Sequence, residues 1–425
     1  MSQEIAFNMA TSNIRFGFGV TKEVGMDCKD MKLDKVMVVI DPALKSSSSV
    51  IVALQALEDE KVSFSLFDRV RIEPTDQSIQ EAVSVAVEDE VDGFLAIGGG
   101  STIDTAKAAN LYSTYPADFL DYVNAPIGKG LPVPGTLKPL IAIPTTAGTG
   151  SETTGVAIFD LKVMKAKTGI AHRRLKPTLG LLDPENTRTM PPAVGASTGL
   201  DVLSHALESF TAIPFGQRSY PATPVIRPAY QGSNPISDVW ALEALRLVSQ
   251  FLPRAVADTS DDLARSKMLL AACYAGVGFG NAGVHLPHGM SYPVSGMVKN
   301  FYPEGYHVDH AMVPHGVSVI LNAPSVFRFT APTCPERHLE AARILGANAS
   351  DKLLPDAGRI LSDQIVNLMQ KLKLPNGLKA LGYDYGDIPK LVEGTLPQHR
   401  VTKLSPRPAS RDDLTEIFED ALVAW

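Results

Sequence analysis

Asp201 and His205 stand four residues apart in GLDVLSHALESF, so on a helix they share one face and can reach a single ion. Taken alone, the pair also suits a capped aspartate and a core histidine. The other histidines bear on the choice. Of nine in the chain, five fall between 285 and 315: His285, His288, His307, His310 and His315. Crowding of this kind, in a segment rich in glycine and proline, is unusual for plain core packing. His285 and His288 are three apart in VHLPHGMSYP and can face one site together. His315 follows Pro314, which reads as a helix start, and His310 in YHVDH competes with it. One carboxylate with several imidazoles makes a hard-to-borderline donor set for a divalent metal, Fe2+ or Zn2+, with room left for a substrate oxygen.

A second group of residues suits a nucleotide. The apolar run GFLAI leads into Gly98, Gly99, Gly100 and Ser101, and TIDTAKAAN then reads as helix. Glycines between a strand and a helix start let backbone N–H groups approach a pyrophosphate. PTTAGTGSE (144–152) is a second loop of this sort after a strand, with Thr145, Thr146 and Thr149 as hydroxyl donors. Asp41 ends an earlier strand, where a carboxylate can accept ribose hydroxyls and repel a 2′-phosphate, favouring NAD over NADP. Asp41 precedes Gly98 by 57 positions, whereas the usual dinucleotide fingerprint has its acid after the glycines. The expected fold is therefore a variant of the doubly wound theme.

The elements that must hold these groups follow two rhythms. Up to about residue 190, β-branched runs alternate with helical stretches: strands at 35–41, 62–68, 93–97, 139–143 and 179–182, and helices at 49–60 and 77–90. Such alternation predicts a parallel sheet covered by helices. Helical periodicity then takes over at 194–211, 237–257, 261–277, 316–327, 336–345, 357–372 and 411–423. The reading is an α/β, Rossmann-like dinucleotide-binding domain over 1–190 and an all-α metal-binding domain over 191–425, with the active site expected in the cleft between them. Two irregular stretches, 213–235 with five prolines and 293–314, stand out.

Bulk properties narrow the function. At 425 residues and 45 % hydrophobic, the chain can bury two cores. A net charge of −7 with scattered basic residues argues against a nucleic-acid surface. No apolar run reaches about 18 residues, so no spanning helix is expected. The opening MSQEIAFNMATSNIRFG has neither the apolar run of a secretory signal nor the look of a long Arg-rich transit peptide, so no leader is expected in it. Cys28, Cys273 and Cys334 are too far apart for a metal knuckle or a disulfide framework. A cytoplasmic protein acting on small molecules is expected, forming a homodimer or larger homo-oligomer through an edge strand near the N-terminus.

Taken jointly, GGGS at 98–101, PTTAGTGSE at 144–152, the Asp201-x3-His205 helix, HGM at 288–290 and PHG at 314–316 make the chain resemble the iron-containing alcohol dehydrogenase family over nearly its whole length. The resemblance implies metal ligation by Asp201, His205, His288 and His315. It implies NAD at Asp41, the Gly98–Ser101 loop and the Thr145/Thr146 region, with Lys167 in KTGI near the nicotinamide. His285 and His310 become candidates for proton relay or substrate contact. Many alcohol-oxidising members carry HGMAH, whose second histidine sits close to the reacting alcohol. This chain has HGMSYP, so Tyr292 stands at that position as a further relay candidate.

SNIRFG, RPAYQGSNPISD (227–238), VHLPHGMSYPVSG (284–296), VDHAMVPHG (308–316) and GTLPQHRVTKLSPRPAS (394–410) look like the hydroxyacid–oxoacid transhydrogenase branch. That similarity implies oxidation of 4-hydroxybutyrate to succinate semialdehyde, coupled through retained NAD to reduction of 2-oxoglutarate to 2-hydroxyglutarate. Both substrates are carboxylates, so cations should serve them; Arg173, Arg174, Lys299, Arg400 and Lys403 are the candidates. An ordinary NAD-dependent alcohol dehydrogenase is the nearest alternative. A dehydroquinate-synthase-like lyase is more remote, because its basic phosphate site has no counterpart here.

Overall fold

The computed structural model describes residues 3–162, 166–306 and 308–425, so His307 lies outside the described residues. Two compact units are formed: one comprises residues 10–190, the other residues 3–9 together with 191–425.

In the first unit the strands are β1 (Asn13–Phe16), β2 (Lys35–Ile40), β3 (Ser63–Phe67), β4 (Gly93–Gly98), β5 (Leu140–Pro144), β6 (Val156–Leu161), β7 (Ala166–Ala171) and β8 (Leu179–Leu182). Six of them form a parallel sheet in the order β1-β8-β5-β4-β2-β3. The helices are α1 (Val24–Asp30), α2 (Ser48–Asp59), α3 (Asp76–Glu88), α4 (Gly100–Thr114) and the single turn α5 (Phe119–Tyr122). Alternate residues of β2 face opposite ways, as the pleat requires. Val36, Val38 and Ile40 pack with Val24, Val50, Ala53 and Leu57 of α1 and α2. Met37 and Val39 pack with Ala82, Ala86, Ile103 and Ala106 of α3 and α4. With both faces covered, β4 is buried along its whole length, which is why GFLAI reads as an unbroken apolar run.

The order in which successive strands are added reverses beside β2: β3 lies on one side of it and β4 on the other. In open α/β sheets, ligands bind at the carboxyl ends of strands at such a reversal. Ile40 pairs with Ile97 and Gly98 with Pro144, so Asp41, the glycine loop and the threonine loop leave the sheet side by side.

The second unit is built from α6 (Pro192–Thr211), α7 (Pro235–Ala257), α8 (Asp262–Ala282), α9 (Leu286–Gly296), α10 (His315–Ile320), α11 (Ala323–Thr330), α12 (Pro335–Ile344), α13 (Ala357–Lys371), α14 (Ile388–Thr395), α15 (His399–Thr402) and α16 (Arg411–Ala421). The N-terminal residues join it through Glu4 against Arg227 (2.9 Å) and the Asn8 amide donating to Gln231 Oε1 (2.8 Å). No single helix among the described residues is long and apolar enough to cross a membrane. Together α8 and α9 pass on length and composition, but they meet at 103° and are largely buried.

The structure departs from the sequence reading in several elements, with α1, α9, α14 and α15 among the helices it did not predict. An antiparallel hairpin, β6–β7, adds to the predicted strands, and the edge strand expected near the N-terminus is the short β1. The helix expected over 316–327 is two helices, because Pro324 has no N–H to offer the carbonyl of Ile320, where α10 ends. The irregular stretch expected from Pro293 starts later: α9 continues through Pro293 to Gly296, and its other proline, Pro287, sits in the first turn where no N–H is required.

Candidate active site

Helix α6 carries the site's framework on one stripe. Asp201, His205, Glu208 and Thr211 follow one another at steps of four, three and three, all buried in a helix whose remaining buried residues are mostly apolar. Gly316 lets the start of α10 reach this stripe, since a Cβ there would fall 2.0 Å from the Ser197 carbonyl oxygen and 3.1 Å from Asp201 Cβ. That close approach brings His315 beside Asp201.

Nε2 of His205, His288 and His315 lies 3.7, 3.6 and 3.8 Å from the single atom Asp201 Oδ1. One ligand atom from each of the four residues falls within 4.8 Å of the others. Ligands at about 2.0–2.2 Å from a common ion stand roughly 3–4 Å apart, so the spacing fits a first-row divalent metal. Two of the donors are also in the right form. Burial pushes His288 down to about 3, aided by the Arg400 charge, and holds His205 well below its ordinary value. Neutral imidazoles are what a metal takes. His288 Nε2 is buried without a hydrogen-bond partner, an arrangement that costs free energy unless something completes it. His205 is held flat against Phe279 of α8, ring centroids 3.9 Å apart. His315 is 23 % exposed, so the cluster is reached from its side.

Glu208 is the residue that sequence reasoning missed. Its Oε1 accepts from His288 Nδ1 (2.5 Å), and its Oε2 accepts from the His285 and His288 amides (2.6 and 3.4 Å). A carboxylate on Nδ1 places the ring proton there and leaves the Nε2 lone pair facing the cluster, the usual outer support of a metal-bound histidine. Burial pushes the Glu208 carboxyl up to about 7, against the pull of His285 and the two amides. The signal was present: Glu208 lies seven residues after Asp201 and three after His205.

The remaining candidates are spread around this cluster. His285 is wholly buried, and its Nε2 meets Thr211 Oγ1 at 2.9 Å. Thr211 already donates to the Leu207 carbonyl, so His285 is the donor in that bond. Tyr292 lies one turn beyond His288 on α9, and its Oη accepts from Arg400 Nη2 (2.6 Å). His310 stands outside the four-residue cluster, with Nδ1 2.9 Å from Asp309 Oδ1. Among the anchoring candidates, Lys299 is paired with Asp387 (2.6 Å), Arg174 donates to the Val133 carbonyl (2.5 Å), and Lys403 is exposed.

In the first unit, Gly99 caps α4 without a side-chain acceptor, which leaves the first helical amides to an outside anion. The threonine loop lies directly on this turn. A Cβ on Gly100 would fall 2.5 Å from Thr149 Cγ2, one on Gly99 would fall 3.3 Å from Thr146 Oγ1, and the Thr145 amide donates to the Gly98 carbonyl (3.0 Å). Buried Lys107 ties the loop's far end to α4, donating to Ser151 Oγ (2.6 Å) and the Val156 carbonyl (2.8 Å). Asp41 Oδ1 accepts from the Ala43 amide (2.8 Å), which fixes the carboxylate at the end of β2. Lys167 on β7 is opposite Asp160 of β6 and contacts it at 2.9 Å and Glu73 at 2.5 Å. Burial opposes its charge, but Asp160 and Glu73 outweigh that and raise its pKa. The Glu73 amide in turn donates to Ser101 Oγ (3.1 Å), linking Lys167 to the glycine loop.

The sequence profile of the iron-containing alcohol dehydrogenases matches residues 11–184, and that of the family's C-terminal part matches residues 229–422. The chain belongs to the iron-containing alcohol dehydrogenase family. Within the family it is 57 % identical over 421 residues to a protein of Bos taurus named hydroxyacid-oxoacid transhydrogenase, mitochondrial, covering 99 % of this chain and 90 % of that one. Among solved structures it is similar to a 1,3-propanediol oxidoreductase (TM-score 0.86, 26 % identity, 98 % of this chain and 100 % of that one). A sulfoacetaldehyde reductase from Bifidobacterium kashiwanohense in complex with NAD+ also matches (TM-score 0.79, 26 % identity, 99 % of each chain).

Proposed function

We propose that this chain is a hydroxyacid–oxoacid transhydrogenase, which oxidises 4-hydroxybutyrate to succinate semialdehyde and passes the same hydride to 2-oxoglutarate, giving 2-hydroxyglutarate. As an iron-containing alcohol dehydrogenase it is an oxidoreductase acting on CH–OH groups. The observation that carries the reading is the convergence of three imidazoles on Asp201 Oδ1. Asp201, His205, His288 and His315 would hold the metal; the donor set takes Fe2+ or Zn2+, and the family's name favours iron. When bound, the cation supplies Lewis acidity that lowers the pKa of a substrate hydroxyl.

The chain's own residues do the rest. Glu208 keeps the His288 proton on Nδ1 and so keeps the ring turned correctly. Tyr292 is the relay that the geometry supports best: its Oη accepts from Arg400, which leaves its own O–H to hold or pass a proton. His285, wholly buried and bonded to Thr211, supports the α6–α9 contact, and His310 stands apart from the cluster.

NAD, when bound, supplies the hydride carrier. Asp41, Gly98, Gly99, Gly100, Ser101, Thr145, Thr146 and Thr149 would hold it, with Lys167 acting through Glu73 on Ser101. Gly100→Ala pushes a methyl group into Thr149, so NADH affinity in a fluorescence titration falls roughly 5- to 100-fold, the effect of an overpacked contact. Unchanged affinity in the folded variant removes this loop from the cofactor site.

The three cysteines are free, as suits a reducing compartment. The sequence reading is the cytoplasm, but the bovine relative is named mitochondrial, and that name supports the mitochondrion instead. Strand β1 is an open sheet edge, the place for a second copy in a homodimer. The function is tested by mixing 4-hydroxybutyrate and 2-oxoglutarate with the purified protein, without added NAD, and measuring metal content on the same sample. Both products are expected in equal amounts. Turnover that requires added NAD, and yields NADH from 4-hydroxybutyrate alone, makes the chain an ordinary NAD-dependent alcohol dehydrogenase instead.

A further inference from the structure

We infer that Arg400 anchors the substrate carboxylate, and that this one residue serves both half-reactions by reading a tail the two substrates share. The inference rests on the transhydrogenase reading for the identity of the substrates and on the geometry of α9 and α15 for the anchor. In 4-hydroxybutyrate the reacting carbon is C4, followed by two methylenes and a carboxylate. In 2-oxoglutarate the reacting carbon is C2, again followed by two methylenes and a carboxylate. Both products keep the same tail. A site that holds the reacting oxygen in one place therefore finds the distal carboxylate in one place for all four molecules.

Arg400 is placed to meet it. Nη2 donates to Tyr292 Oη (2.6 Å), and Tyr292 stands four residues, about 6 Å of helix rise, from the proposed ligand His288. The guanidinium lies over the ring of Tyr230, 5.0 Å from its centroid, which fixes the plane of the fork. Nη1 is buried and has no hydrogen-bond partner, whereas Nη2 is held by Tyr292. No carboxylate of the described residues pairs with Arg400, whereas Lys299 is paired with Asp387, Arg174 is bonded to a backbone carbonyl and Lys403 is exposed. A buried, oriented guanidinium with an unmet N–H and no counter-charge is unfavourable until an anion arrives, and its planar fork suits a carboxylate.

The test compares each acid with the analogue in which a methyl group replaces the distal carboxylate: 4-hydroxybutyrate with butan-1-ol, and 2-oxoglutarate with 2-oxopentanoate. In Arg400→Gln, at matched metal content, both acid-to-analogue ratios of kcat/KM fall roughly 10- to 100-fold, the worth of a hydrogen bond to a charged group. Arg400→Lys keeps the charge without the fork and recovers part of each ratio. Ratios unchanged from wild type, or a fall in only one of them, overturn the shared anchor. If the wild type turns over neither acid, the transhydrogenase reading fails by itself, and calorimetry with butanoate still decides the anchor. Binding that weakens 10- to 100-fold in Arg400→Gln supports it, and equal binding overturns it.

Discussion

His288→Ala is expected to lose its metal and its turnover together, by more than the 10- to 100-fold that removal of an outer support typically costs. Two links are broken by one substitution. The Nε2 lone pair that faces Asp201 Oδ1 at 3.6 Å is gone, and Glu208 is left buried without its Nδ1–H donor. Metal content by elemental analysis and kcat on the same preparation check it. Binding to the native state alone also stabilises a protein by mass action, so adding Fe2+ or Zn2+ raises the wild-type melting temperature and leaves that of His288→Ala unmoved. His310→Ala, which alters a histidine outside the cluster, keeps full metal content. A His288→Ala protein with stoichiometric metal and wild-type kcat contradicts the ligand set.

The second large effect belongs to a residue that touches neither metal nor substrate. Glu208 presents two acceptor oxygens to three donors: His288 Nδ1 and the amides of His285 and His288. Glu208→Gln keeps the shape but has one acceptor and one donor end. Whichever way the amide turns, an N–H meets an N–H. If its NH2 faces His288, the imidazole takes the other tautomer, and the proton on Nε2 occupies the lone pair the metal needs. Metal affinity is expected to fall roughly 10- to 100-fold. Saturating metal restores part of kcat, which separates this positioning role from a folding defect. A variant with wild-type metal affinity assigns Glu208 to packing alone.

Legibility of the molecule in its sequence followed how local each signal was. The strands of the parallel sheet were readable because burial on both faces makes them continuous apolar runs, β4 being the clearest case. Asp201 and His205 were readable because their spacing is helical. Glu208 shares that spacing, yet a glutamate on a helix ordinarily faces water, and only its contact with α9 shows otherwise. Helix α9 itself was hidden by its two prolines. The hairpin of β6 and β7 was hidden because its strands carry charges, Asp160 and Lys167, that look like loop residues until they are seen paired across it. Arg400 could be drawn from sequence only as one of five cations, because its distinction lies in Nη1 having no partner once the 399–402 turn rests near Tyr292.

The most direct measurement follows the hydride. The protein is given 4-hydroxybutyrate deuterated at C4, unlabelled 2-oxoglutarate and an excess of unlabelled NADH, and the 2-hydroxyglutarate formed is analysed by mass spectrometry. A retained cofactor predicts deuterium at C2 of the product, undiluted by the added NADH. Product that carries little deuterium, with the label found in the free nicotinamide pool, contradicts direct transfer through a bound cofactor.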